Sequence, residues 1–178
     1  MRDLSEEVAE RARRLRLMVF DVDGVLTDGT LWYGREGEAL KRFHAFDGHG
    51  IKMLAASGVA CALLSGRSAA AVGARAAELG IADVLQGIED KLAACKALLE
   101  KRGLKFDQIG FMGDELVDLP VLMRCGFAAA PGEAPEAVRS RVHYVAAAPA
   151  GRGAAREVCE LLMRAQGTYE KALQEYLR

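Results

Sequence analysis

Short apolar runs recur along this chain at βαβ spacing, and they constrain its fold more than any other feature. Leu17 to Phe20, Val59 to Leu64, Ile81 to Leu85, Ile109 to Met112 and Phe127 to Ala130 are each four to six residues long and largely apolar. Runs that short, bounded by turn residues and without polar alternation, read as strands buried on both faces. Stretches of helical character separate them: Gly48 to Ala56, Ser68 to Leu79, Asp90 to Arg102, and Asp118 to Arg124 with Pro120 in its first turn. Gly58, Gly80, Gly103 and Gly126 follow these stretches as C-terminal stops. Strands alternating with helices predict a parallel sheet covered by helices on both faces. A weaker strand is expected at Tyr144 to Ala146. An N-terminal helix is expected over Ser5 to Arg16, with Leu4, Val8, Ala12 and Leu15 on one side.

One segment interrupts the alternation. Thr30 to Tyr33, Gly34 to Gly37 and Glu38 to Phe43 read as a β-hairpin flap (about residues 29–43) placed directly after the first strand, and it carries the single tryptophan. A surface flap packed on the sheet and a gate or subunit contact both fit, since aromatics on a hairpin mark interfaces. Ala146 to Gly151 reads as a linker before a C-terminal helical tail, about residues 151–178.

Composition narrows the class. At 178 residues and 51% hydrophobic, the chain has material for one well-buried domain, expected to span 1–178, without a large cap domain. Lys plus Arg is 24 and Asp plus Glu is 25, a formal charge of −1, which excludes a nucleic-acid binder held by a general basic surface. No apolar run reaches the roughly 20 residues that cross a bilayer. The charged start MRDLSEEVAERARRLR is no secretory signal, and Cys61, Cys95, Cys125 and Cys159 are too widely spaced for a zinc cluster or disulfide framework. A cytoplasmic protein that binds neither membrane nor nucleic acid is expected.

Ligands of an open parallel sheet bind beyond the carboxyl ends of its strands. The residues standing there are Asp21-Val-Asp-Gly-Val-Leu-Thr-Asp28 after the first strand, Ser65-Gly-Arg67 after the second and Gly113-Asp-Glu-Leu-Val-Asp118 after the fourth, while Lys91 opens the helix after the third. Taken singly, each is an ordinary turn or surface element. Together they place carboxylates, a hydroxyl and an amine on one rim. Carboxylates that converge repel unless a cation sits among them, and an oxygen-only donor set favours a hard cation such as Mg²⁺. Such a set suits phosphoryl transfer. One carboxylate attacks phosphorus, and a second, two residues on, protonates the leaving alkoxide and later takes a proton from water. The Ser hydroxyl and Lys ammonium hold the phosphoryl oxygens.

The same residues carry a resemblance. Asp21-Val-Asp-Gly-Val-Leu-Thr27, Ser65, Lys91 and Gly113 to Asp118 resemble the four motifs of the haloacid dehalogenase superfamily of phosphohydrolases. Phe43 to Leu54, Leu64 to Arg67 and Ala150 to Cys159 resemble segments of one branch, the 3-deoxy-D-manno-octulosonate 8-phosphate phosphatases of lipopolysaccharide synthesis. The similarity runs from about Leu17 to Gly167. It implies a Rossmann-like α/β fold and hydrolysis of a sugar acid phosphate through an aspartyl phosphate. Asp21 is then the nucleophile and Asp23 the acid/base. Mg²⁺ is held by Asp21, the Asp23 backbone carbonyl and Asp114, with Asp118 and Glu115 behind them, and Ser65 and Lys91 bind the phosphoryl group. Substrate contacts are implied for Asp23, His44, Ala45, Phe46, Asp47, Gly48, Lys52, Arg67, Arg75 and Lys91, and a homotetramer for the assembly. The chain departs from the branch at Glu115, where Asp is usual, and at Phe46, where a polar or basic residue is common.

Alternatives stand beside this reading. Cys61 and Arg67 match the C-x₅-R spacing of cysteine phosphatases, but Cys61 lies in an apolar strand pattern and is expected to be inert. A nine-carbon sialic-type sugar acid 9-phosphate would suit the same chemistry. A phospho-accepting switch or a catalytically idle assembly module could share the fold. His44, His49 and His143 show no metal spacing and read as loop or capping residues. Arg152 and Arg156 form either a basic helix surface or, as the resemblance implies, part of a tail that closes over a neighbouring subunit's site.

Overall fold

A computed structural model describes residues 5–178. Its helix α1 (Glu6–Arg13) is capped by Ser5, whose hydroxyl accepts the Val8 N–H at 3.3 Å, and it stops short of the expected Arg16. Leu4, expected on its apolar side, lies outside the described residues. There follow β1 (Leu17–Phe20), the hairpin strands β2 (Trp32–Gly34) and β3 (Gly37–Leu40), α2 (Ala45–Ala56), β4 (Ala60–Leu64), α3 (Ala70–Leu79), β5 (Asp83–Leu85) and α4 (Lys91–Arg102). The second half contains β6 (Ile109–Met112), α5 (Leu119–Leu122), β7 (Phe127–Pro131), α6 (Glu136–Arg139), β8 (Tyr144–Ala146), α7 (Ala154–Ala165) and α8 (Tyr169–Gln174).

Six strands form one parallel sheet in the order β5-β4-β1-β6-β7-β8. Strand β1 is central, with Phe20 opposite Leu63 on one side and Met112 on the other. The pleat explains the unbroken apolar run. Met18 and Phe20 pack into one core with α2 and α7, while Leu17 and Val19 pack into the opposite core with Leu98, Leu99 and Val121. The chain leaves β1 toward β4 and β5 and returns to its other side at β6, so the topological switch falls at the carboxyl end of β1.

Three expectations are corrected. Helix α2 begins at Ala45 rather than Gly48, because the His44 ring accepts the Phe46 N–H at 3.2 Å and caps the helix. The stretch over Asp118 to Arg124 is a 3₁₀ turn at Leu116–Asp118 followed by the four-residue α5. Residues 146–151 are not a free linker. Glu157 accepts the Ala147 and Ala148 amides at 3.0 and 2.8 Å, Glu133 accepts Ala150 at 3.0 Å, and the Gly151 N–H donates to the Val25 carbonyl at 2.9 Å. Gly151 has φ +57°, and a Cβ there would lie 2.4 Å from the Thr27 carbonyl carbon. Only glycine lets this crossing approach the loop after β1 so closely.

Candidate active site

The loop after β1 opens with the Asp21 N–H bonded to the Met112 carbonyl at 2.9 Å, which ties the start of the loop to β6. The loop then turns at Gly24, φ +83°, where a Cβ would fall 2.0 Å from an Asp114 oxygen. Glycine at this point is what brings the β1 and β6 loops together. Thr27 closes the turn by accepting the Gly24 and Gly29 amides.

Around this turn a 320 Å³ pocket is lined by Asp21, Asp23, Ser65, Arg67, Lys91, Asp114 and Glu115, among others. All four strand-end segments singled out in the sequence therefore converge. Lys91 reaches in from the first turn of α4 and is buried, 3.0 Å from Asp21 Oδ1 and 2.5 Å from Asp118 Oδ1. Asp118, fully buried, uses Oδ2 to accept the Asp114 and Glu115 amides at 3.0 and 3.1 Å. It thus braces the loop that carries Asp114. Ser65 is buried at the end of β4 and its hydroxyl accepts the Arg67 amide at 3.2 Å. The longer Glu115 side chain folds onto its own turn, accepting the Leu116 N–H at 2.6 Å.

The electrostatics are those of a site short of positive charge. Burial, then repulsion from Asp118, raises Asp21 to about 6 despite Lys91. Burial, then the Asp21 and Asp118 charges, raises Asp114 to about 8. Asp114 Oδ1 is buried with no hydrogen-bond partner among the described residues. Carboxylate oxygens of Asp21, Asp114 and Asp118 lie within 4.8 Å of one another. An orphaned oxygen beside a partly uncompensated carboxylate cluster fits a hard divalent cation.

Asp23 turns away from this cluster. Its carboxylate ion-pairs with Lys41, whose Nζ also lies 2.5 Å from Glu38 Oε1. Burial opposes the lysine's charge, but its interactions with the two carboxylates outweigh it and raise its pKa. Neither Lys41 nor Glu38 was singled out in the sequence. Both sit on the hairpin rather than at a strand end of the main sheet, and no local pattern marks them. The hairpin makes two more contacts with the rim: Arg67 donates to the Tyr33 hydroxyl at 3.3 Å, and Arg42 pairs with Asp28.

Of the expected substrate contacts, Asp23, Arg67 and Lys91 line the pocket, whereas His44, Ala45, Phe46, Asp47, Gly48, Lys52 and Arg75 do not. The first turn of α2 faces α3 and α7 instead. The Asp47 carboxylate accepts the Gly153 and Arg156 amides at 3.1 and 2.9 Å, so it caps α7. Arg75 donates to the His44 carbonyl at 3.3 Å and pairs with Glu78 at 2.8 Å. Lys52 is exposed, as is Phe46. Ala45 and Arg75 line a separate cavity with Lys41 and Phe43. The buried Cys61 thiol is pushed up to about 12 by desolvation, which agrees with its reading as inert. His143 accepts the N–H of Ala128 in β7 at 2.8 Å, so its ring is bonded to a strand and caps no helix.

A parallel sheet with its carboxylates, buried lysine and serine gathered at the switch point defines an α/β hydrolase of phosphate esters. Residues 76–158 match the model of the haloacid dehalogenase-like hydrolase family. The 3-deoxy-D-manno-octulosonate 8-phosphate phosphatase KdsC of Escherichia coli K12 is 41% identical over 169 residues, covering 95% of this chain and 90% of its own. A probable YrbI family phosphatase from Pseudomonas syringae superposes with a TM-score of 0.95 at 46% identity, covering 98% of this chain and 99% of that one. The Moraxella catarrhalis 3-deoxy-D-manno-octulosonate 8-phosphate phosphatase, solved with a magnesium ion, a phosphate ion and KDO, gives 0.93 at 37% identity over 96% and 98%. The chain belongs to the haloacid dehalogenase-like hydrolases, in the family of the 3-deoxy-D-manno-octulosonate 8-phosphate phosphatases.

Proposed function

We propose that this chain hydrolyses 3-deoxy-D-manno-octulosonate 8-phosphate to the free sugar acid and phosphate, a step of lipopolysaccharide biosynthesis, with Mg²⁺ as cofactor. The observation that carries the reading is the placement of Lys91 between Asp21 and Asp118 at the mouth of β1, beside the orphaned Asp114 oxygen. The Moraxella relative, solved with magnesium, phosphate and KDO, supports the choice of cofactor and substrate.

An Asp21 oxygen attacks phosphorus, and the bond from phosphorus to the sugar oxygen breaks with its electron pair going to that oxygen. Asp23 gives the departing alkoxide a proton. Water then attacks the aspartyl phosphate while Asp23 takes a water proton, and the Asp21–phosphorus bond breaks to release phosphate. Ser65 and Lys91 hold the phosphoryl oxygens, and Arg67 supplies a planar donor for a second anionic group. Asp21, the Asp23 backbone carbonyl and Asp114 are the ligands we assign to Mg²⁺, which would supply positive charge to offset the repulsion between the anionic nucleophile and an anionic substrate. Asp118 and Glu115 brace that loop.

A panel of sugar phosphates, assayed for phosphate release with and without EDTA, tests the reading. Turnover of the eight-carbon substrate that EDTA abolishes supports it; preference for a nine-carbon sugar acid 9-phosphate, or indifference to EDTA, overturns it. Asp21→Asn is expected to lose at least about 10³-fold in kcat while remaining folded. We also read residues 1–178 as one domain of a cytoplasmic homotetramer. Exposed Trp32, Tyr33 and Leu40 on the hairpin, and Leu116 and Val117 beside the pocket, support an oligomer. No described helix is long and apolar enough to cross a membrane.

A further inference from the structure

Two lysines pair with four carboxylates at this site. Lys91 collects Asp21 and Asp118 on the sheet side. On the hairpin side Lys41 collects Asp23 and Glu38, and its side chain is only 2% exposed. A buried ammonium is costly unless paired, so Lys41 stands where it does because both carboxylates meet it there. Without it, Asp23 would have no cation beside it among the described residues, and its carboxylate would lose the contact that fixes its direction. The pocket wall nearest the hairpin includes Gly29 and Leu31, beside Asp23.

We propose that Lys41 is a positioning residue, held by Glu38, which fixes the Asp23 carboxylate on the leaving-group side of the pocket, so that the hairpin is part of the catalytic apparatus as well as a flap. This rests on the reading of Asp23 as the acid/base. A proton donor out of place matters most when the leaving oxygen is strongly basic and least when it departs unaided.

The test is the dependence of kcat/KM on leaving-group pKa across a series of substituted aryl phosphates, none of which carries a sugar for Lys41 to bind. Wild type, Lys41→Met, Lys41→Arg and Asp23→Asn are compared with Mg²⁺ present. Lys41→Met is expected to steepen the dependence as Asp23→Asn does. It should lose about 10- to 100-fold on the most basic leaving group and less than about threefold on p-nitrophenyl phosphate, while Lys41→Arg lies near wild type. A steep dependence in Asp23→Asn but a wild-type slope in Lys41→Met overturns the proposal and leaves the role of Asp23 standing. A wild-type slope in Asp23→Asn overturns the acid role itself and the proposal with it. Should Lys41→Met fail to fold, Glu38→Gln combined with Lys41→Gln removes the pair, leaves Asp23 as the one carboxylate of the trio, and is held to the same outcomes.

Discussion

Asp114 states the demand of the pocket at the scale of one side chain. It is half-buried, repelled by Asp21 and Asp118, and has one buried oxygen without a partner among the described residues. Asp114→Asn removes the repulsion along with the charge. The metal-free variant should therefore melt above the wild type in a thermal scan, while calorimetry should find Mg²⁺ bound more than about 100-fold more weakly. Equal melting temperatures, or unchanged Mg²⁺ binding, would contradict the assignment. Asp47 makes the opposite case. Its carboxylate is taken up by the α7 amides, so Asp47→Ala should cost about 1 kcal/mol, or about 2–4 °C in Tm, and leave KM within about twofold. A large rise in KM with Tm unchanged would restore Asp47 to the substrate.

Elements show how the loops are held. Asp83, buried on the edge strand β5, pairs with Lys101 and Arg102 in the last turn of α4. Burial opposes its charge, but those two hydrogen bonds outweigh it and hold its pKa below 3.8. The unfolded chain then binds this proton first as pH falls, so the stabilisation is present above about pH 4 and disappears below the folded value. Asp83→Asn should lower Tm by about 2–4 °C at pH 7, a cost of about 1 kcal/mol given the exposure of Lys101, and the difference should shrink as the pH is taken below the carboxylate's folded value. A gap that persists at low pH would mean that packing, not the ion pairs, sets it. Gly151→Ala should disturb the crossing over the β1 loop, lowering both Tm and kcat; circular dichroism melts and steady-state assays check this together. The strands were legible in the sequence because burial on both faces leaves no polar alternation to blur them. The strand-end residues followed from the switch-point rule. Lys41 was not legible, since it meets Asp23 across 18 residues of chain. Nor was the orientation of α2, whose Asp47 caps α7 and whose Lys52 is exposed, while Arg75 of α3 bonds the His44 carbonyl outside the pocket. The start of that helix was hidden too, because Gly48 and Gly50 weaken its helical signal and the cap is a histidine.

On the scale of the whole molecule, the hairpin is the one large excursion from the layered core, with Trp32 56% exposed at its surface. In the oligomer we propose, that surface is covered. Analytical ultracentrifugation should find a tetramer, and Trp32→Lys should shift it toward smaller species; a fully active monomer would refute the assembly. The Gly151 crossing also orders events during synthesis. The ribosome delivers Asp21 and Asp23 early and the rest of the strand-end residues by Asp118, yet the loop that holds the first two is fastened by a hydrogen bond to a glycine more than thirty residues later. A growing chain with all of these strand-end side chains already outside the exit tunnel still lacks the clasp on their first loop until Gly151 follows.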